Sequence, residues 1–158
     1  MMPSPSDRLR AAGLALPDPL DPKARFVPAK QVGALLFISG HGPYSAGGQV
    51  HRGKVGDDVS LEEARRHARL TGLNMLAAAR RALGDLDRIE GVVKLLGLVN
   101  ATADFHDHSR VIDGCSELFI EIFGEAGAHA RSAIGVVSLP DNITVEIEAV
   151  FAIGPAAQ

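Results

Sequence analysis

The chain has 158 residues, 46% of them hydrophobic and 22% charged, which suits one compact domain with its own core and leaves no room for two. Lys and Arg number 16 against 19 Asp and Glu, a formal net charge of −3, and six Phe, one Tyr and no Trp are present, so neither a basic field nor an aromatic stacking platform favours nucleic acid as a partner. A single cysteine excludes an intrachain disulfide framework and a thiolate zinc site, and no apolar run reaches the roughly eighteen residues that a transmembrane helix needs.

Residues 1–23 hold five of the nine prolines around one helical turn at Asp7–Ala12, the composition of an arm laid over a domain that occupies 24–158. This opening lacks the long apolar core of a secretory signal, so the expected address is the cytoplasm. From Phe26 to Gly40 the chain turns apolar, and Ala34–Ile38, bounded by glycines, reads as a strand buried on both faces. Gly47-Gly48 between Tyr44-Ser45 and Gln49-Val50 has the spacing of a hairpin turn. Ser60-Leu61-Glu62-Glu63 is a capping box that opens a helix, whose apolar stripe runs from 61 to 83 before Gly84 stops it. Val92–Val99 reads as a second buried strand, and Ser109–Phe123 as a second amphipathic helix with Val111, Cys115, Leu118 and Ile122 on one stripe. Ser132–Leu139 is a third strand stopped by Pro140. From Ile143 to Ile153 apolar residues alternate so that Glu146 and Glu148 share the face opposite the main apolar row. The order predicts a two-layer α+β fold, one mixed sheet with two helices across one face.

Several positions carry chemistry beyond this outline. Arg131 places a guanidinium at a strand mouth, where it either binds a carboxylate ligand or makes a structural ion pair with a carboxylate such as Glu146 or Glu148. Short connections favour neighbouring strands, which would bring Glu146 and Glu148 to the cleft of Arg131 as a general base or water-positioning group; the alternative is a solvated face. Ser39-Gly40-His41-Gly42-Pro43 follows a buried strand, and its two glycines let backbone approach a ligand, although the lysine of a phosphate loop is missing. His106-Asp107-His108 lacks a convincing third metal ligand, since His129 and His41 could be recruited only by the fold, and it reads as a solvated helix entry. Cys115 sits on an apolar stripe as a small buried hydrophobe, and no G-x-S-x-G elbow supports a Ser-His-Asp triad.

Taken together, SGHGP at 39–43 and ARSAIGVVSLPDNITVEIEAV at 130–150 resemble the reactive intermediate deaminase family, the Rid or YjgF-like proteins, over about Phe26–Ile153. The proline-rich arm, with FVPA at 26–29, resembles a longer subgroup. The resemblance implies a chorismate-mutase-like fold and a homotrimer with a site in each cleft between subunits. It implies hydrolysis of 2-imino or enamine acids to 2-oxo acids and ammonia, with no metal or organic cofactor; the expectation of no nucleic-acid and no membrane partner comes from the composition and hydropathy instead. By position, Arg131 matches the arginine that binds the substrate carboxylate, Ser39 the serine of the site loop, and Glu146 the glutamate near the attacking water. Three further site positions depart from the family pattern: Phe26 stands where many relatives have tyrosine, Ala133 where well-known members have cysteine, and Asp113 where relatives have asparagine. Two other functions compete with the deaminase: a non-catalytic module that binds a small carboxylate, which needs Arg131 but not Glu146, and an endoribonuclease or translation inhibitor, which the acidic composition disfavours.

Overall fold

The computed structural model describes residues 2–155. Its main elements are α1 (Pro5–Ala11), β1 (Ala29–Val32), β2 (Leu35–His41), α2 (Leu61–Leu83), β3 (Ile89–Asn100), α3 (His108–Phe123), β4 (Ala130–Val136) and β5 (Val145–Ile153), with short 3-10 turns at Leu86–Arg88, Gly124–Gly127 and Pro140–Asn142. Five strands form one sheet in the order β1-β2-β5-β3-β4, antiparallel throughout except for the parallel pair β3–β4, which α3 connects. Among the described residues no helix is long and apolar enough to cross a membrane.

Local signals set the helices. The Ser60 hydroxyl accepts from the Glu63 amide at 3.2 Å while the Glu63 carboxylate accepts from the Ser60 amide at 3.0 Å, closing the reciprocal cap that the sequence predicts. Gly84 ends α2, and α3 begins within a residue of its expected start. Both helices lie on one face of the sheet and run in the same direction, since Arg65 pairs with Glu117 and Arg69 with Glu121 in step. Their backbones approach most closely at Gly114, where a side chain would overlap the Arg65 carbonyl. Leu36 and Ile38 of β2, Leu95 and Val99 of β3, and Val145, Ile147 and Phe151 of β5 pack beneath Met75, Leu76, Cys115, Leu118, Phe119 and Ile122. Each large side chain in this layer contributes about 1.5–3 kcal/mol of burial.

The arm is ordered against the domain. A capping box at Ser4 and Asp7 starts α1, buried Leu9 joins the core, and the Ser6 amide donates to the Asp87 carboxylate at 2.7 Å. Farther along, Asp21 pairs with Arg81 of α2 at 2.8 Å.

Three sequence expectations need correction. The apolar stretch after Phe26 is two strands, β1 and β2, joined at Gly33, whose φ of 58° needs a glycine; and β2 is covered on one face only, with Leu35 and Phe37 exposed on the other. The third strand runs over Ala130–Val136, because the chain bends away before Pro140. Most consequential, β4 and β5 are not neighbours: β3 lies between them, since the crossover through α3 sets β4 parallel beside β3 and exiles it to the sheet edge.

Candidate functional site

The sheet distributes the predicted site residues over three places. The first is the open face near the end of β2. A bulge between Ile38 and His41 takes Ser39 and Gly40 out of the β2–β5 ladder, and Glu146 of β5 lies over Gly40, with its Cδ 2.9 Å from where a Cβ would be. Only glycine leaves that space. Ser39 is tied down by its backbone and side chain together: its amide donates to the Pro28 carbonyl at 2.9 Å and its hydroxyl to the Val27 carbonyl at 2.6 Å. The Ser39 carbonyl in turn accepts from His41 Nδ1 at 2.6 Å, which fixes that tautomer, and burial pushes the His41 pKa down against this hydrogen bond. Glu146 is half-buried, and that burial, reinforced by the charge of Glu148 on the same face, raises its carboxyl above the ordinary range. A carboxyl tuned upward is better matched to proton transfer near neutral pH.

The second place is the opposite face, at the sheet edge. Arg131 of β4 pairs in register with buried Leu95 and points at α3, so its partner is neither Glu146 nor Glu148. Instead Nη1 donates to Asp113 Oδ1 at 2.8 Å and to Ser116 Oγ at 3.0 Å. Asp113 and Ser116 are three residues apart on one face of α3, so the same helix surface presents both acceptors. A further link backs them. The Gly127 carbonyl can only accept, so the 2.6 Å contact makes His129 Nδ1 the donor, and Nε2 then accepts from the Ser116 hydroxyl at 2.9 Å. Ser116 is thereby oriented with a lone pair toward Arg131. Sequence reasoning missed Ser116 and weighed His129 only as a metal ligand; the i, i+3 spacing from Asp113 was the one signal that could have found Ser116. Ala133, two residues along β4, packs against the core on this same face.

The third place holds Phe26 alone. It is 50% exposed and lines a groove of about 450 Å³ with Pro19, Leu20, Pro22, Ala78 and Arg81, between the arm and the end of α2.

Within one chain, Arg131 and Glu146 therefore do not meet. Glu146 pairs with Leu98 of β3, which pairs with Ile134 of β4, so the two strands are two spacings of about 4.8 Å apart, and the side chains project from opposite faces. Cys115 is fully buried, and burial raises its thiol pKa, which leaves it unreactive. Among the described residues, no three of His, Cys, Asp and Glu are grouped to hold a metal ion, and His108 lies over Gly135. A cluster that the sequence did not reveal joins the 42–52 loop to α2: the rings of His51 and His67 stack at 4.4 Å, Ser45 bonds to His51 at 2.8 Å, and His67 bonds to buried Thr144 at 3.0 Å.

Comparison with known proteins places this geometry in a family. The chain is 37% identical over 142 residues, 89% of each chain, to Protein TCP17 of Trypanosoma cruzi. It is similar in structure to an Agrobacterium tumefaciens protein of unknown function (39% identity, TM-score 0.86, covering 95% of this chain and 92% of the other). It is also similar to a Shewanella oneidensis protein described as a "putative endoribonuclease" (34% identity, TM-score 0.91, covering 95% and 99%). The family model that matches residues 6–152 is described as "YjgF/chorismate mutase-like, putative endoribonuclease", and a match over that span, with the mixed sheet and its helix layer, shows that the chain belongs to the YjgF/chorismate-mutase-like family.

Proposed function

We propose that the protein hydrolyses small 2-imino acids to 2-oxo acids and ammonia, in sites completed by a second copy of the chain within a homotrimer. The observation that carries the reading is the anchoring of Arg131. Its Nη1 is held by Asp113 and Ser116, while Nη2 makes only a 3.4 Å contact with the Ser109 carbonyl and Nε has no partner among the described residues. The free Nε–Nη2 edge is a rigid fork with the geometry that a carboxylate accepts.

In this reading Arg131 fixes the substrate carboxylate, and Glu146 of another copy holds the attacking water. The Glu146 carboxylate takes a proton from the water as the water oxygen bonds to the iminium carbon, and the electron pair of the C=N bond moves to nitrogen, giving a neutral carbinolamine. Glu146 returns that proton to nitrogen, the C–N bond breaks as the hydroxyl oxygen forms the C=O bond, and the hydroxyl proton passes back to the Glu146 carboxylate, from which it leaves with the ammonia. Holding substrate and water together removes most of the entropic cost, which suffices for an imine that already hydrolyses in water. Ser39 and Gly40 shape the floor on which Glu146 rests. The apolar open face, with Leu35, Phe37 and Ile134 exposed in a single chain, supports association through that face.

The test generates 2-iminopropanoate in place with an amino-acid oxidase and follows oxo-acid formation. Wild type is expected to outpace buffer, and both Arg131→Ala and Glu146→Gln to lose that advantage. Mixing the two variants through a denaturation and refolding cycle is expected to restore about a quarter of the sites, since each intact site takes its arginine from one subunit and its glutamate from the next. A wild-type rate equal to buffer overturns the deaminase reading, and carboxylate binding without turnover favours the binding module in its place. Inactive variants that never complement overturn the shared site.

A further inference from the structure

We propose that Asp113 makes the Arg131 site selective for zwitterions, ligands with a carboxylate and a protonated nitrogen on adjacent carbon, over simple carboxylate anions. This rests on the reading of Arg131 as the carboxylate anchor and adds to it the charge state of what is bound.

The argument starts from charge. A lone guanidinium at a cleft attracts any carboxylate. Here it carries a carboxylate of the protein 2.8 Å from Nη1, and the pair is only partly buried, with 21% of the Arg131 side chain and 38% of the Asp113 side chain exposed. An incoming anion thus meets a neutral couple, and its attraction to Arg131 is opposed by repulsion from Asp113. Of the other cations around Asp113, Arg65 of α2 is itself paired with Glu117, and Arg110, three residues back on α3, with Asp107, so neither tips the balance.

Geometry then gives the couple direction. Asp113 spends Oδ1 on Arg131, and Oδ2 has no partner among the described residues. Ser116 cannot replace Asp113 as the group that meets a ligand, because it is buried, its hydroxyl proton is committed to His129 and it carries no charge. The pair therefore offers a donor edge, Nε and Nη2 of Arg131, with the carboxylate of Asp113 across the guanidinium at Nη1. A ligand that carries an N–H cation next to its carboxylate is held by the edge and offsets the repulsion from Asp113 with its own charge; a 2-oxo acid has no cation to offset it. An iminium acid is such a zwitterion and its 2-oxo acid product is not, so the same couple would admit substrate and release product.

Alanine and pyruvate are matched probes, sharing a skeleton and differing in the nitrogen. Binding is measured by calorimetry or ligand-observed NMR on the intact protein at neutral pH, with no turnover required. Wild type is expected to bind alanine more tightly than pyruvate. Asp113→Asn, which keeps the shape and removes the charge, is expected to tighten pyruvate and weaken alanine, moving the ratio by roughly tenfold, the effect of one carboxylate within about 4–6 Å. Ser116→Ala, which leaves both charges in place, is expected to weaken both probes alike. Equal affinities in wild type, tighter pyruvate binding, no alanine binding at millimolar concentration, or a ratio that Asp113→Asn leaves in place each overturn the proposal; if that variant does not fold, the wild-type ratio decides. A protein that prefers alanine yet does not hydrolyse imines keeps this inference and loses the deaminase reading, and one that hydrolyses imines without the preference does the reverse.

Discussion

Gly40→Ala separates the position of Glu146 from its presence. Gly40 has no left-handed φ, so alanine meets no backbone strain there, and its entire effect falls on the neighbour above it. The new Cβ would stand 2.9 Å from Glu146 Cδ, 3.0 Å from Cγ and 3.2 Å from Oε2, against an ordinary contact of 3.4–4 Å. The carboxyl must therefore retreat by roughly 0.5–1 Å, which a flexible, half-exposed side chain does cheaply; a misplacement of about 1 Å at a reacting group can cost up to 10²-fold in rate. Stability moves in the other direction if at all, because replacing glycine narrows the unfolded ensemble by about 0.4–1 kcal/mol. The expected outcome is a Tm within about 4 °C of wild type, with imine hydrolysis reduced ten- to a hundredfold in the oxidase-coupled assay. A wild-type rate beside an inactive Glu146→Gln would refute the claim that Gly40 sets the working position of Glu146. A large fall in Tm would show that the clash is taken by the backbone.

Two further predictions concern stability. Burial, with a smaller contribution from His51, depresses the His67 pKa from 6.5 to about 4, so the folded state favours the neutral ring; its stability contribution is complete above pH 6.5 and is lost as pH falls from 6.5 toward 4. Because the ring is only part-buried, screening reduces the effect to about 1 kcal/mol, and urea melts of His67→Gln across that window should show a shallower acid loss than wild type. Gly114→Ala would drive a methyl into the Arg65 carbonyl at the contact of α2 with α3, where two helix backbones must separate and no side chain can yield. A loss of about 3 kcal/mol is expected, read as a Tm lower by roughly 6–12 °C, and an unchanged melt would show that the helices can slide apart freely.

What the sequence made legible was local. The Ser60–Glu63 cap, the turn at Gly47-Gly48 and the stripe through Val111, Cys115, Leu118 and Ile122 each depend on residues a few positions apart, and each is present. Long-range pairing was not legible. β4 precedes β5 by a short link, which favours adjacency, yet the helix between β3 and β4 makes those two a parallel pair and inserts β3 between the others. β1 was invisible because Lys30 and Gln31 of an edge strand carry no apolar alternation. The reading of β2 as buried on both faces followed from Leu35 and Phe37, apolar residues on the sheet face that the chain does not cover itself. An ion pair of Arg131 was foreseen, but its partners were missed for a related reason: the acceptors come from α3, eighteen and fifteen residues back, not from a strand.

On the proposed reading, the same topology makes the chemistry depend on more than one chain. Exile of β4 to the edge gives Arg131 a helix as its neighbour and a solvent boundary as its outlook, while Glu146 is held two strands inward on the uncovered face. No side-chain rotation carries a guanidinium through a hydrogen-bonded sheet, so residues on opposite faces can share a substrate only if the face of one copy meets the edge of another. The open face is built for such a meeting at one price. Phe37 and Ile134 favour burial, but Glu146 and Glu148 on the same face do not, because two carboxylates sealed in a dry interface would cost several kcal/mol each. On the proposed reading that conflict is resolved by leaving Glu146 at a wet cleft: the apolar residues close the association, and the carboxyl keeps the water that it is there to hold.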